Sequence, residues 1–247
     1  MQALARRDHV PARIARGDLE GKMKTRVWRK LHAEEAKRFD DAYALVAKYP
    51  GLDLADAFGM VQSGMSVDEL KARREKAQKK LAVKEARGAV SKEAIDGFIQ
   101  ALADAKVEVS VVLGERTLLD IVAGVEPIAF QLERSGRLEK LQVVVLARRS
   151  VWEKLSPRVE RDPKLAQKPA PIIRQPERRP VSDPRAFLPM MGKPIALHLR
   201  NGIRLVEPLR TVGPFDLLIG ADGEELFVPL HAVVRWEDPA GAPEAGP

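Results

Sequence analysis

The chain has 247 residues, 45% hydrophobic and 31% charged, which is enough apolar material for packed cores and too much for a disordered chain. Lys and Arg number 42 against 35 Asp and Glu, and this basic excess (net charge +7, pI near 9.7) suits a polyanionic partner. The lack of cysteine excludes disulfides, thiolate metal sites and cysteine nucleophiles, and no apolar run approaches the ~18 residues of a membrane span. The four histidines have no metal-ligating spacing, and the arginine-bearing start lacks the apolar stretch of a secretory signal. These features predict a soluble cytoplasmic protein with no metal and no cofactor.

Residues 1–30 carry nine Lys or Arg and no sustained apolar period, so they read as a basic, disordered arm, with Met23 an alternative start. A helical region follows over 31–90. Ala36, Phe39, Tyr43 and Val46 recur at helical spacing until Pro50-Gly51, and a second helix fits Leu54 to Gln62. Ser66 and Glu69 form a capping box for a third, in which hydroxyl and carboxylate satisfy free backbone donors reciprocally. That helix holds nine Lys or Arg against two Glu between Leu70 and Lys92, which fits either a phosphate-facing surface or a solvated one. Residues 52–86 also fit a helix-turn-helix pattern for DNA.

From residue 91 the texture changes. An amphipathic helix (Ile95, Phe98, Ile99, Leu102) leads into Val107, Val109, Val111 and Leu113, apolar at every second position as in a half-buried strand. Further strands are predicted at Leu118–Val122, Ile128–Leu132 and Leu141–Leu146, with a turn at Ser135-Gly136, so 91–153 forms a small antiparallel barrel. Prolines from Pro157 to Pro189 forbid long helix or central strand, and 154–181 reads as an extended basic linker. A second β block occupies 182–237. Ile195, Leu197 and Leu199 alternate, Asn201-Gly202 predicts a type I′ hairpin, and strands at Phe215–Ile219, Leu226–Val228 and Ala232–Trp236 complete it. Residues 238–247, rich in Pro, Gly and Ala, predict a disordered tail.

The two β blocks repeat. A shift of 87 residues superposes Asp96 on Asp183, Lys106 on Lys193, Leu118 on Leu205, Val125 on Val212, Pro127 on Pro214 and Gly136 on Gly223. In the second block Ser182-Asp183-Pro184, then Lys193-Pro194-Ile195-Ala196-Leu197-His198-Leu199-Arg200-Asn201-Gly202-Ile203-Arg204-Leu205, Phe215, and Leu230-His231-Ala232-Val233 resemble the bacterial Hfq family of Sm-like RNA chaperones. The first block resembles it through Asp96-Gly97-Phe98-Ile99-Gln100-Ala101-Leu102 and Val107 to Leu113. The resemblance implies an α+β chain with two bent, five-stranded Sm-like barrels, each preceded by a short helix. It implies a uridine pocket near Asp183, Phe215 and His231, and an adenine-binding face near His198, Gly202, Ile203 and Arg204. Single-stranded RNA is the implied partner, in a homo-oligomeric ring made either by three chains giving six barrels or by second barrels alone.

The chain departs from the family at several positions. The lysine before the closing histidine is Leu230, the aspartate ahead of the phenylalanine is Gly213, and the tyrosine of the first strand is His198. The basic cluster of the family's helix is replaced by Pro189-Met190-Met191-Gly192, and the first block's closing-histidine position reads Leu146, next to Ala147. Taken singly, His231 also fits a core histidine, Phe215 a core phenylalanine, and Asn201-Gly202 a plain turn, while alternation with Leu197 and Leu199 sets His198 outward. No Gly-rich phosphate loop is present, and acid pairs such as Glu34-Glu35 look solvated, so no enzyme is expected. A ring-forming protein scaffold with a DNA- or partner-binding helical region is the alternative.

Overall fold

The computed structural model describes residues 2–239, so most of the expected tail, from residue 240 onward, lies outside the described residues. The chain divides into two compact units, Met1–Gln78 and Lys79–Pro247.

The first unit is helical: α1 (Gln2–Arg7), α2 (Ala12–Leu19), α3 (Thr25–Leu31), α4 (Ala33–Lys48), α5 (Leu54–Ser63) and the start of α6 (Val67–Ala89). The expected disordered arm over residues 1–30 is therefore corrected. Three short helices fold around Trp28, which is buried with Val10, Ala15 and Ala36 and meets Phe39 edge-on at 6.2 Å between ring centroids. One large aromatic side chain supplies this small core, without the apolar period that sequence reading relies on. Asp40 ties the segment down by accepting from Arg29 and lying 3.0 Å from His9 Nδ1, while the His9 ring stacks on Tyr43. The capping box forms as its residues imply: Ser66 N donates to Glu69 (2.8 Å) and Glu69 N to the Ser66 hydroxyl (3.2 Å). Past this cap, Lys71 to Lys80 are all exposed, and Ala86 in the last turn is the buried residue of α6.

The second unit carries the β structure. After α7 (Glu93–Asp104) come β1 (Glu108–Val112), β2 (Thr117–Val125), β3 (Ala129–Leu132), β4 (Gly136–Glu139), a 3-10 turn at Lys140–Gln142 and β5 (Val145–Arg148). The first block ends in α8 (Arg149–Leu155), and the linker holds β6 (Glu160–Arg161) and α9 (Pro163–Gln167). The second block is β7 (Pro194–Leu199), β8 (Ile203–Val212), β9 (Asp216–Ile219), β10 (Leu226–Pro229), a 3-10 turn at Leu230–Ala232 and β11 (Val233–Glu237). Two 3-10 turns, Pro184–Ala186 and Leu188–Met190, stand where a helix was expected to precede it, because Pro189 has no N–H for a helical ladder.

All pairings are antiparallel, and the strands form one eleven-stranded sheet in the order β11-β7-β8-β9-β10-β5-β1-β2-β3-β4, with β6 added alongside β8. The sheet has two ends and is not closed. Instead of standing apart, the two blocks meet where β10 pairs with β5, Leu226 opposite Ala147 and Phe227 opposite Leu146. The strands at this joint alternate between two cores. Val145, Ala147, Leu226, Val228, Leu217 and Ile219 face one apolar cluster, while Leu146, Phe227 and Leu218 face the other with Ile99, Leu102 and Phe130. Period-two side-chain direction makes each joint strand serve both cores.

Two local expectations change. The strand read at Leu141–Leu146 is a 3-10 turn followed by β5. The connection from β9 to β10 is also longer than that from β3 to β4, so His231 corresponds to Leu141 in the first turn and not to Leu146. At the β7–β8 hairpin only Gly202 is left-handed (φ 85°), and Gly202 N donates to Leu199 O. Asn201 has negative φ, so the expected type I′ turn is replaced by a longer loop closed by a left-handed glycine.

Gly202 also meets the linker. Asp162 N donates to Gly202 O, and a Cβ on Gly202 would lie 2.7 Å from Ala166 N and 3.0 Å from its Cα. Gly202→Ala should push residues 160–170 off the hairpin and destabilise the unit by about 1–3 kcal/mol. A lowered urea midpoint together with faster tryptic cleavage at Arg161 or Lys164 would register this.

Candidate functional site

Three polar side chains of the second block, Arg200, Asn201 and His231, reach carbonyls of the first at the joint. Arg200 leaves the end of β7 and donates from Nη2 to the carbonyls of Leu141 (2.9 Å) and Gln142 (2.8 Å). Asn201 Nδ2 donates to Leu113 O at 3.3 Å. His231, on the 3-10 turn before β11, places Nε2 3.1 Å from Val143 O. Facing a carbonyl, that nitrogen carries a proton and donates. Burial pushes the His231 pKa down to about 4, helped by the charges of Arg200 and Arg179.

Phe215 precedes β9, and its ring is half exposed (52%), so it is a surface aromatic and not a core residue. The Arg87 guanidinium lies over it, 4.9 Å from the centroid, and Phe215 O accepts from Leu230 N at 2.8 Å, one residue from His231. Arg87 also donates to Ser182 O (2.8 Å), which places Asp183 beside this group. Asp183 caps its 3-10 turn by accepting from Arg185 N, and it pairs with the Arg185 side chain at 2.6 Å. The Arg185 hydrogen bond holds the Asp183 carboxyl below the usual range. The structure thus places Asp183, Phe215 and His231 along one connected path of contacts.

His198, Gly202, Ile203 and Arg204 lie elsewhere and are covered. His198 is 6% exposed rather than outward-facing, held on β7 with Nδ1 3.4 Å from Arg235 Nη2 and Nε2 3.2 Å from Glu237. Its pKa is lowered by burial first and then by Arg235. Ile203 is buried and pairs with Arg161 of β6, and Arg204 bonds Glu160 at 2.9 Å. The linker therefore covers Gly202, Ile203 and Arg204, while β11 covers His198.

Three residues that sequence reading passed over join the first group. Arg87 is one of many basic residues on α6, marked out only by its place in the turn that buries Ala86. Arg179 sits in the proline-rich linker, where Nε donates to Ile173 O and Nη2 to Arg174 O. Arg200 is hidden between Leu199 and a turn signal. No cluster of metal-ligating side chains occurs among the described residues. Comparison with family models, with curated proteins and with solved structures found no match to this chain.

A second titratable group sits near the joint. Asp216 pairs opposite Pro229, and burial pushes its carboxyl up to about 7; Lys140 opposes that rise and Asp96 adds to it. A folded pKa above the unfolded value of about 3.9 means the folded state loses stability as pH rises from about 4 through 7. His231 has the opposite sign, because its depressed pKa costs stability as pH falls from about 6.5 towards 4. Asp216→Asn should therefore be more stable than the parent at pH 8. His231→Gln should blunt the loss of stability between pH 6.5 and 4. Urea midpoints measured across this range test both signs.

Proposed function

We propose that this chain is a non-catalytic, cytoplasmic binder of single-stranded RNA, built on two barrels of the Hfq and Sm-like type and acting in post-transcriptional regulation. The observation that carries this reading is the shared strand order of the two blocks. Each block runs fifth, first, second, third, fourth strand, with a 3-10 turn between the fourth and fifth. The fourth strand of the second block, β10, pairs with the fifth strand of the first, β5, which supports neighbouring places in a ring. Two edges remain at the ends of the sheet: β4, a fourth strand, and β11, a fifth. Chains adding head to tail through the same pairing extend the series two blocks at a time, and three chains would close a six-barrel ring. A ring of second barrels alone is disfavoured, because β10 is already engaged within the chain.

The RNA face in this reading is the exposed ring of Phe215 with Asp183 and His231 nearby, where a uridine base would stack as single-stranded bases do on aromatic faces. The opposite face, at His198, Gly202, Ile203 and Arg204, receives no RNA while the linker and β11 cover it. Burial of Leu230 (3% exposed) at the position of the family's lysine favours a second reading, a protein scaffold on the same ring. Partners that survive nuclease treatment in a pull-down would favour the scaffold.

Phe215→Leu keeps apolar volume and removes the stacking face, so affinity for uridine-rich RNA should fall about tenfold, in line with ~1–3 kcal/mol per stacked base. Circular dichroism and a thermal melt establish that the variant is folded, and unchanged affinity in a folded variant contradicts the pocket. Native mass spectrometry at micromolar concentration should find three chains together, and a strict monomer removes the ring.

A further inference from the structure

Arg200 is a buried cation without a counter-charge. Its residue is 3% exposed, Nη2 serves two carbonyls, and Nε and Nη1 are buried with no hydrogen-bond partner. No carboxylate pairs with it among the described residues. A guanidinium keeps its charge at any ordinary pH, and burying its N–H groups unpaired is costly. More positive charge surrounds it. His231 reaches the same stretch of carbonyls, 141–143, and the linker runs alongside, with Ala170 N donating to Arg200 O at 2.9 Å. The linker's Arg179 is close enough to act on Arg200, pushed down to about 10 by burial first and by Arg179 second. Arg179 in turn feels Arg87, whose Nε is also buried and unpartnered. The nearby acids act on the outer members of this group: Asp183 pairs with Arg185 and also faces Arg87, and Glu177 faces Arg179, while neither acts on Arg200.

We propose that Arg200, flanked by Arg179 and Arg87, forms a binding site for a phosphate group at the joint between the two strand blocks. An anion there would satisfy the free guanidinium nitrogens and offset the mutual repulsion of the cations. The planar fork of arginine matches two phosphate oxygens at once, and three arginines suit an anion with several oxygens better than a single carboxylate. Arg87 spans from this group to the Phe215 ring, so a phosphate at Arg200 and a base on Phe215 can belong to one strand. The site itself does not require the RNA reading; only the assignment of its phosphate to an RNA backbone rests on that reading.

The test compares the parent with Arg200→Met, Arg179→Met and Phe215→Leu, using inorganic phosphate and a uridine-rich hexaribonucleotide as probes. Phosphate should raise the melting temperature of the parent more than chloride at equal ionic strength, and both arginine substitutions should abolish that difference. Arg179 lies on the linker and outside the sheet, so Arg179→Met keeps the test valid if Arg200→Met fails to fold. If the phosphate comes from RNA, each arginine variant should lower the slope of log affinity against log salt by about 0.7, as for one single-strand phosphate contact, while Phe215→Leu leaves the slope unchanged. A phosphate effect that depends on the arginines, with RNA affinity indifferent to Phe215, keeps the site, assigns it to free phosphate and removes the RNA reading. Identical responses of the parent and both arginine variants to phosphate and to salt overturn the site.

Discussion

The pairing of β10 with β5 is the constraint on which the second unit depends. It places two strands, one from each block, where both faces are buried. Leu226 and Val228 point into one core while Phe227 between them points into the other, and Val145, Leu146 and Ala147 divide in the same way. An edge strand of either block alone would expose a row of unpaired backbone groups beside a mostly apolar face. Joined, the two edges satisfy each other and the cores interlock, with the rings of Phe130 and Phe227 meeting edge-on at 5.8 Å.

The joint also creates the polar site. The hairpin after β7 and the 3-10 turn before β11 are both carried to the first block's 141–143 carbonyls, which is why Arg200 and His231 converge there. Neither block alone would bring them to those acceptors. The linker that connects the blocks returns over the same hairpin. Its β6 extends β8, and Arg179 joins the cationic group from a segment whose prolines suggest only a spacer. A left-handed glycine at position 202, lacking a side chain, lets the linker lie this close.

Much of the fold was legible in the residues because local rules governed it. Alternation marked β1 and β7, and the capping box marked the start of α6. The repeat was visible in order, though a longer β9–β10 connection shifted its last third out of register. Asp183, Phe215 and His231 lie along one path of contacts through Arg87 and Leu230. Other features depended on tertiary context. The unbroken apolar runs at 143–147 and 226–228 signal strands buried on both faces, but not which strand is the partner. Trp28 organised a core that has no periodicity. His198 alternates with leucines as an outward residue would, yet β11 pairs beside it and encloses it. Arg87, Arg179 and Arg200 carry no local signal, because what distinguishes them is the carbonyls and ring they meet in the folded unit and, for Arg87 and Arg200, the guanidinium nitrogens left unpaired there.

The most direct test of the joint is a double-mutant cycle between Phe130 of β3 and Phe227 of β10, one ring from each block. Each is replaced by leucine singly and together, and unfolding free energies are taken from urea titrations. Rings in edge-on contact across the joint should couple by about 0.5–1.5 kcal/mol beyond the sum of the single effects. Strictly additive single effects would mean that the rings do not meet, and that the two blocks are not one interlocked sheet.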